Sequence, residues 1–279
     1  MAIKYEKSTF LSWEKMISKD AVLAGNLDIE KTELKWERGM LSFKSIAPDG
    51  NLFEIEDFKR AFLDRFALEG AKILNYGYAE GYKPLMEYLI NYLKNKGVDP
   101  EGKDLLITNG FTEGLNLVLA GITEPGDELI TENPTHNTAL KIMKLRKLKI
   151  HGITLKEDGL DLEELEKVLS TISIKAGFLI PSYHNPTGQV MSPEQRIEVL
   201  EVFSRYQVPI IEDGFNEELR YSGSHVAPLL ALSGKGNNVV YIGSFSKILF
   251  PGIRIGWIMG DAKLISTLES IKRSMNIHT

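Results

Sequence analysis

The sequence predicts an α/β domain built on a mostly parallel sheet, and three observations carry that prediction. From Asp104 onward, short β-branched apolar runs alternate with longer segments whose apolar residues recur at helical spacing. The runs end in small-residue or polar turns, at Asn109–Gly114, Pro181–Gly188 and Gly243–Lys247. Chemically capable side chains collect at those ends, where α/β sheets bind ligands.

Composition bounds the rest. At 279 residues, 43% hydrophobic and 25% charged, the chain has an ordinary globular make-up. A net charge of −5 gives no reason to expect contact with nucleic acid or an anionic membrane. No apolar run approaches the length of a membrane span. The N-terminus lacks the apolar core of a secretion signal. Cysteine is absent, which excludes disulfides and thiolate–metal sites and fits a reducing cytoplasm. The five histidines show no ligand spacing, so no metal site is expected.

Residues 1–40 read as a polar arm or linker with helical pieces at Phe10–Ile17 and Asp28–Trp36. A large domain is expected over residues 41–279. After a turn at Ala47–Asn51, an amphipathic helix is predicted over Ile55–Leu68, with Ile55, Phe58, Phe62 and Phe66 expected to pack into a core. Glycines 77 and 81 make Leu74–Leu85 an irregular tyrosine-rich loop ahead of a helix over Leu85–Lys96.

Asp104–Thr108 then reads as a strand. The turn beyond it feeds a helix N-terminus, whose free N–H groups and dipole attract anions; Gly110, Phe111 and Thr112 are therefore phosphate candidates. Many such turns bind nothing, so this signal is weak alone. Glu128–Thr131 is the next strand, and His136 follows in Glu132–Thr138, where a loop histidine is the bland reading. Lys147–Leu155 and Ala176–Pro181 are strands around a helix at Leu162–Leu169. Asn185-Pro-Thr-Gly188 is good turn chemistry. The next helix starts with Ser192 as cap, Pro193 at its first position and Gln195 completing a capping box. Val208–Asp213 is a buried strand ending in two carboxylates, of which Glu212 reads as structural and Asp213 as a ligand-facing acid.

The most specific stretch is Gly243-Ser-Phe-Ser-Lys-Ile-Leu-Phe-Pro-Gly-Ile-Arg-Ile-Gly-Trp257. A lysine between two buried strands loses hydration and becomes a candidate amine for Schiff-base chemistry. Ser244, Ser246 and Arg254 are the groups suited to a phosphate. As an isolated S-x-S-K, it would be a surface turn.

Taken together, Tyr76-Gly…Gly81, Gly110-Phe-Thr112, Asn185-Pro-Thr-Gly188, Asp213 and Ser244…Lys247…Arg254 occur in an order that resembles the class I/II, fold-type I aminotransferases, from about Leu41 to the C-terminus. The resemblance implies a three-layer large domain around a mixed, mainly parallel seven-stranded sheet. It implies pyridoxal 5′-phosphate (PLP) held by Lys247 as a Schiff base, with Lys247 also the acid/base, acting on an amino acid and a 2-oxo acid. It further implies that Asp213 pairs with the pyridine nitrogen, Asn185 bonds the 3-oxygen and His136 stacks on the ring. The phosphate would be held by the Gly110 turn, Ser244, Ser246 and Arg254. Tyr76 would reach the phosphate of a neighbouring subunit, hence a homodimer.

Three departures qualify these expectations. Phe215 and Asn216 stand where the family often has a tyrosine that donates to the 3-oxygen, so the Schiff base should titrate differently. Lys44-Ser-Ile-Ala47 stands near the place of a glycine that leaves room for the substrate carboxylate. The family's C-terminal small domain, which supplies a carboxylate-binding arginine, is not found within the 279 residues, so cofactor binding is expected to outlast efficient turnover. The segment Glu212–Tyr221 also resembles the aminotransferase-like sensor half of GntR/MocR-type regulators, the alternative function.

Overall fold

The computed structural model describes residues 11–28, 38–40, 48–157 and 159–279. The chain divides into two compact units, residues 1–44 and 45–279. In the first, a single 3-10 turn at Trp13–Lys15 stands within the expected Phe10–Ile17 helix, and regular helix α1 is Lys19–Asp28. Residues 29–36 of the second expected helical piece, and Lys44–Ala47, lie outside the described residues.

The second unit holds strands β1 (Lys103–Thr108), β2 (Glu128–Asn133), β3 (Lys149–Lys156), β4 (Gly159–Leu160), β5 (Ile174–Leu179), β6 (Ile210–Asp213), β7 (Val239–Ser244) and β8 (Gly256–Asp261). They form one sheet in the order β1-β8-β7-β6-β5-β2-β3-β4. The block β3-β2-β5-β6-β7 is parallel, and β8 runs antiparallel to both β7 and β1. The central strands β5, β6 and β7 are buried almost throughout, as continuous apolar runs in a doubly covered sheet require.

Helices cover both faces. On one side lie α4 (Gly110–Ile122), α5 (Asn137–Leu145) and α9 (Ala262–Met275), whose Leu115, Met143 and Leu268 share a core with Ile211 and Ile242. On the other lie α3 (Lys83–Asn95), α6 (Leu162–Thr171), α7 (Pro193–Arg205) and the short α8 (Leu229–Leu232), with Leu89, Leu165, Phe203 and Leu230 against Ile210 and Tyr241. This is the expected three-layer architecture.

Three expectations change. The sheet has eight strands rather than seven, because the chain folds back at Gly159 (φ +125°) and adds a two-residue antiparallel strand beside β3. Such a short edge is too brief to recruit another strand. The capping box on α7 is only half made. Ser192 Oγ accepts the Gln195 N–H at 3.1 Å, but the Gln195 side chain turns away to bond both the N–H and the carbonyl of Leu160 in β4. Finally, α2 (Ile55–Glu69) is helical, yet Ile55, Phe58, Phe62 and Phe66 are all exposed. Within residues 45–279, Phe62 and Phe66 stack on each other, and Phe58 meets Phe250 edge-on at 5.0 Å.

Candidate active site

The site is assembled where β1, β2, β6 and β7 end. A turn after β1 carries Gly110 at φ +75°, a conformation that favours glycine. A Cβ on Gly110 would lie 2.6 Å from Nη2 of Arg254, and one on Gly256 would lie 2.8 Å from the carbonyl carbon of Gly110. Two glycines thus let the start of α4 sit against β8 with a guanidinium directly over it. Arg254 is itself left-handed (φ +53°) and donates to Asn109 O at 3.2 Å and Pro251 O at 3.3 Å.

Lys247 sits on the loop joining β7 to β8, closed at its base by Phe245 N–H donating to Ile255 O at 3.0 Å. Ser244 and Ser246 are buried, their hydroxyls 3.0 Å apart. The Lys247 ammonium lies 5.5 Å over the Phe215 ring, and burial lowers its pKa. Phe215 also stacks on His136 (6.3 Å, 24°), and Phe111 lies 5.6 Å from His136. Behind them Asp213, 2% exposed, accepts from Phe215 N–H at 2.9 Å and faces Nδ1 of His136 at 3.7 Å. Burial is the main cause raising the Asp213 pKa, with His136 opposing it.

A cavity of about 220 Å³ gathers Phe111, Thr112, His136, Ser246, Lys247 and Arg254 in its lining, with Phe215 on its wall. Of the other expected site residues, Gly110 and Asp213 adjoin it through Arg254 and His136, and Ser244 through Ser246. Asn185 is not among its lining residues. Tyr76 is 78% exposed and belongs to a separate cavity of about 480 Å³, where its ring meets His278 edge-on. The two replacements for the missing tyrosine divide: Phe215 faces Lys247, while the Asn216 amide donates to Tyr183 O at 3.2 Å, bracing the segment that leads to Asn185. Glu212 accepts the N–H groups of Leu229 and Leu230 at the start of α8.

The residues fit a phosphorylated pyridoxal. Helix-start N–H groups, two hydroxyls and a guanidinium lie at one end of the site, and a half-buried amine stands beside an aromatic wall. Asp213 is a buried acid close to His136 Nδ1, which has no hydrogen-bond partner among the described residues.

A family model for class I and II aminotransferases matches residues 41–279. The chain belongs to the class I and II aminotransferase family. PLP is accordingly the cofactor of its family. Aromatic-amino-acid aminotransferase 1 of Thermococcus litoralis is 32% identical over 276 residues, 96% of this chain and 66% of that one. YdfD, an uncharacterized HTH-type transcriptional regulator of Bacillus subtilis, is 35% identical over 199 residues, 71% of this chain and 41% of that one. The crystal structure of LysN, the α-aminoadipate aminotransferase of Thermus thermophilus complexed with N-(5′-phosphopyridoxyl)-L-leucine, superposes with a TM-score of 0.83 at 28% identity. The match covers 96% of this chain and 67% of that one. The chain spans 66% of the Thermococcus litoralis enzyme's length and a smaller share of the regulator's.

The sequence reading leaves out two buried cations, although both stand on apolar helix faces. Arg196 is fully buried in α7 and donates to the carbonyls of Met191, Ala227 and Pro181 and to Ser182 Oγ. Lys272 is fully buried in α9. The signal was present: Arg196 shares its helix face with Val199, Leu200 and Phe203, and Lys272 shares its face with Ile265 and Leu268.

Proposed function

We propose that the domain binds PLP through Lys247 and transfers an amino group between an amino acid and a 2-oxo acid. The observation that carries this reading is the convergence of Lys247, Ser246, Arg254, Thr112 and His136 on one cavity, with Asp213 behind the histidine. When bound, PLP supplies an electron sink for negative charge developing at the substrate Cα.

The chain's own groups then have distinct tasks. Arg254, the serine hydroxyls and the first N–H groups of α4 anchor the phosphate. His136 and Phe215 offer flat faces that exclude water from the ring. Asp213, as a carboxylate, holds a proton on the pyridine nitrogen. Desolvation leaves more of Lys247 as free amine at neutral pH, so Nζ can form the covalent link and, once released from it, accept the proton leaving Cα. Borohydride reduction of the loaded protein should fix a pyridoxyl mass on the Lys247 peptide. Label on a different lysine, or unchanged label in Lys247→Ala, sinks the assignment.

Similarity to YdfD favours a second reading, a PLP-binding sensor that engages an amine without efficient turnover. A single-turnover spectrum with a panel of amino acids separates them. Pyridoxamine phosphate formed within seconds supports the transferase. A bound-amine spectrum that persists unchanged supports the sensor.

We also propose a homodimer in which Tyr76 serves the partner's phosphate site. It is supported by the exposure of Tyr76 outside the lining of the Lys247 cavity and by the exposed apolar stripe of α2.

A further inference from the structure

Lys272 Nζ, with no solvent exposure, donates at 2.8 Å to the carbonyl of Ala79 and at 2.8 Å to that of Ile107. These acceptors belong to different parts of the chain. Ala79 lies in the loop that carries Tyr76, and Ile107 in β1, three residues before Gly110. The two segments also touch directly: Ile107 N–H donates to Glu80 O at 2.9 Å. Gly81, at φ +126°, lies so close to β1 that a Cβ there would be 2.3 Å from Cγ1 of Ile107. The loop therefore lies along β1's outer edge, and one buried ammonium spans the seam. Desolvation lowers its pKa, opposed by Glu113, Glu269 and Glu80 on the surrounding elements.

We infer that Lys272 is a positioning residue for the phosphate end of the site, fixing the Tyr76 loop to the strand that launches the Gly110 turn. The inference rests on reading the cavity as a PLP site. An apolar residue would pack on the same helix face but leave two buried carbonyls without a donor. The seam, rather than the helix packing, is what the cation supplies. A merely structural lysine would instead stabilise α9 and leave both segments equally ordered without it.

The test is Lys272→Met in the full chain, with two readouts. In the cofactor-free protein, amide exchange should quicken at least tenfold in residues 79–81 and 109–112 while β5–β7 stay protected. PLP affinity should fall at least tenfold. Adding Tyr76→Phe should then cost less than it does in the wild-type background, since both act through one loop. Uniformly faster exchange, or a folded variant with wild-type PLP affinity, overturns the inference. Should Lys272→Met not fold, Gly81→Ala loosens the same seam from the other side and should reproduce the local pattern. A folded Gly81→Ala protein with unchanged exchange and affinity also overturns it. If the wild-type chain does not retain PLP, the cofactor reading fails, and exchange in the cofactor-free protein still decides the role of Lys272.

Discussion

Nδ1 of His136 stands 3.7 Å from Oδ2 of Asp213, so the ring that lines the cavity also faces the acid beneath it. The imidazole lowers the Asp213 pKa, against burial that raises it. Replacing His136 by Phe keeps an aromatic face and removes that counterweight. The folded pKa of Asp213 then climbs further, and the carboxylate proposed to pair with the pyridine nitrogen is lost at a higher pH. In His136→Phe, PLP affinity near pH 8 should stay within a few-fold of wild type, while its acid-side decline moves to higher pH. Fluorescence titrations from about pH 5.5 to 8.5 measure this; superimposable profiles would show that the pair is not coupled.

A second pH effect comes from the buried pair Glu132 and His184, whose Oε2 and Nε2 lie 3.9 Å apart. Burial is the chief cause pushing the Glu132 carboxyl up to about 8 and bringing His184 down to about 4. Glu132 binds its proton more tightly when folded, so its contribution is full below its unfolded value of 4.5 and disappears as pH rises through about 8. Glu212, pushed up to about 7, has the same sign. His184 has the opposite sign, complete above 6.5 and lost as pH falls toward about 4. The cofactor-free protein should therefore lose stability from about pH 6.5 to 8. Glu132→Gln should flatten that loss by up to about 1.4 kcal/mol per pH unit. Urea midpoints at the two pH values decide it, and an equal fall in both proteins refutes the assignment.

Arg196→Met should destabilise the fold by about 3–5 kcal/mol, since it strips a buried cation from several carbonyl acceptors and from the neighbourhood of Glu212. The measurement is again urea unfolding. A loss under about 1 kcal/mol would mean that water replaces the guanidinium.

The stripe on α2 yields a prediction about assembly. Phe62→Glu with Phe66→Glu changes two exposed side chains. Light scattering should show a dimer for the wild type and a monomer for the double variant, with helix content retained. A dimeric variant would place the interface elsewhere.

The sheet and the lysine loop were legible because their determinants are local. Val239–Ile242 must be a buried strand, and Ser244, Ser246, Lys247 and Arg254 lie on one connection. The rest is set by contacts distant in sequence. The periodicity of Ile55, Phe58, Phe62 and Phe66 marks a helix correctly, but it says only which face is apolar, not whether this chain supplies the cover. Gln195 has the right spacing for a capping box, yet its side chain bonds both backbone groups of Leu160 in β4. Arg196 and Lys272 stand at the apolar spacing of their helices, but the carbonyls that receive them come from distant segments.

The pairing of β1 with β8 also has a temporal side. β1 is an edge strand whose sole strand neighbour among the described residues is β8, far later in the chain. On the ribosome, the turn at Gly110 emerges long before the arginine that lies over it and the glycine that packs beneath it. Strands β2, β3, β5, β6 and β7 can already be zipped into a sheet while that corner is still a loose end. On the proposed reading of this corner as the phosphate site, competence to capture the cofactor comes only with β8, so nascent chains stalled before Arg254 should fold in part yet remain blind to PLP.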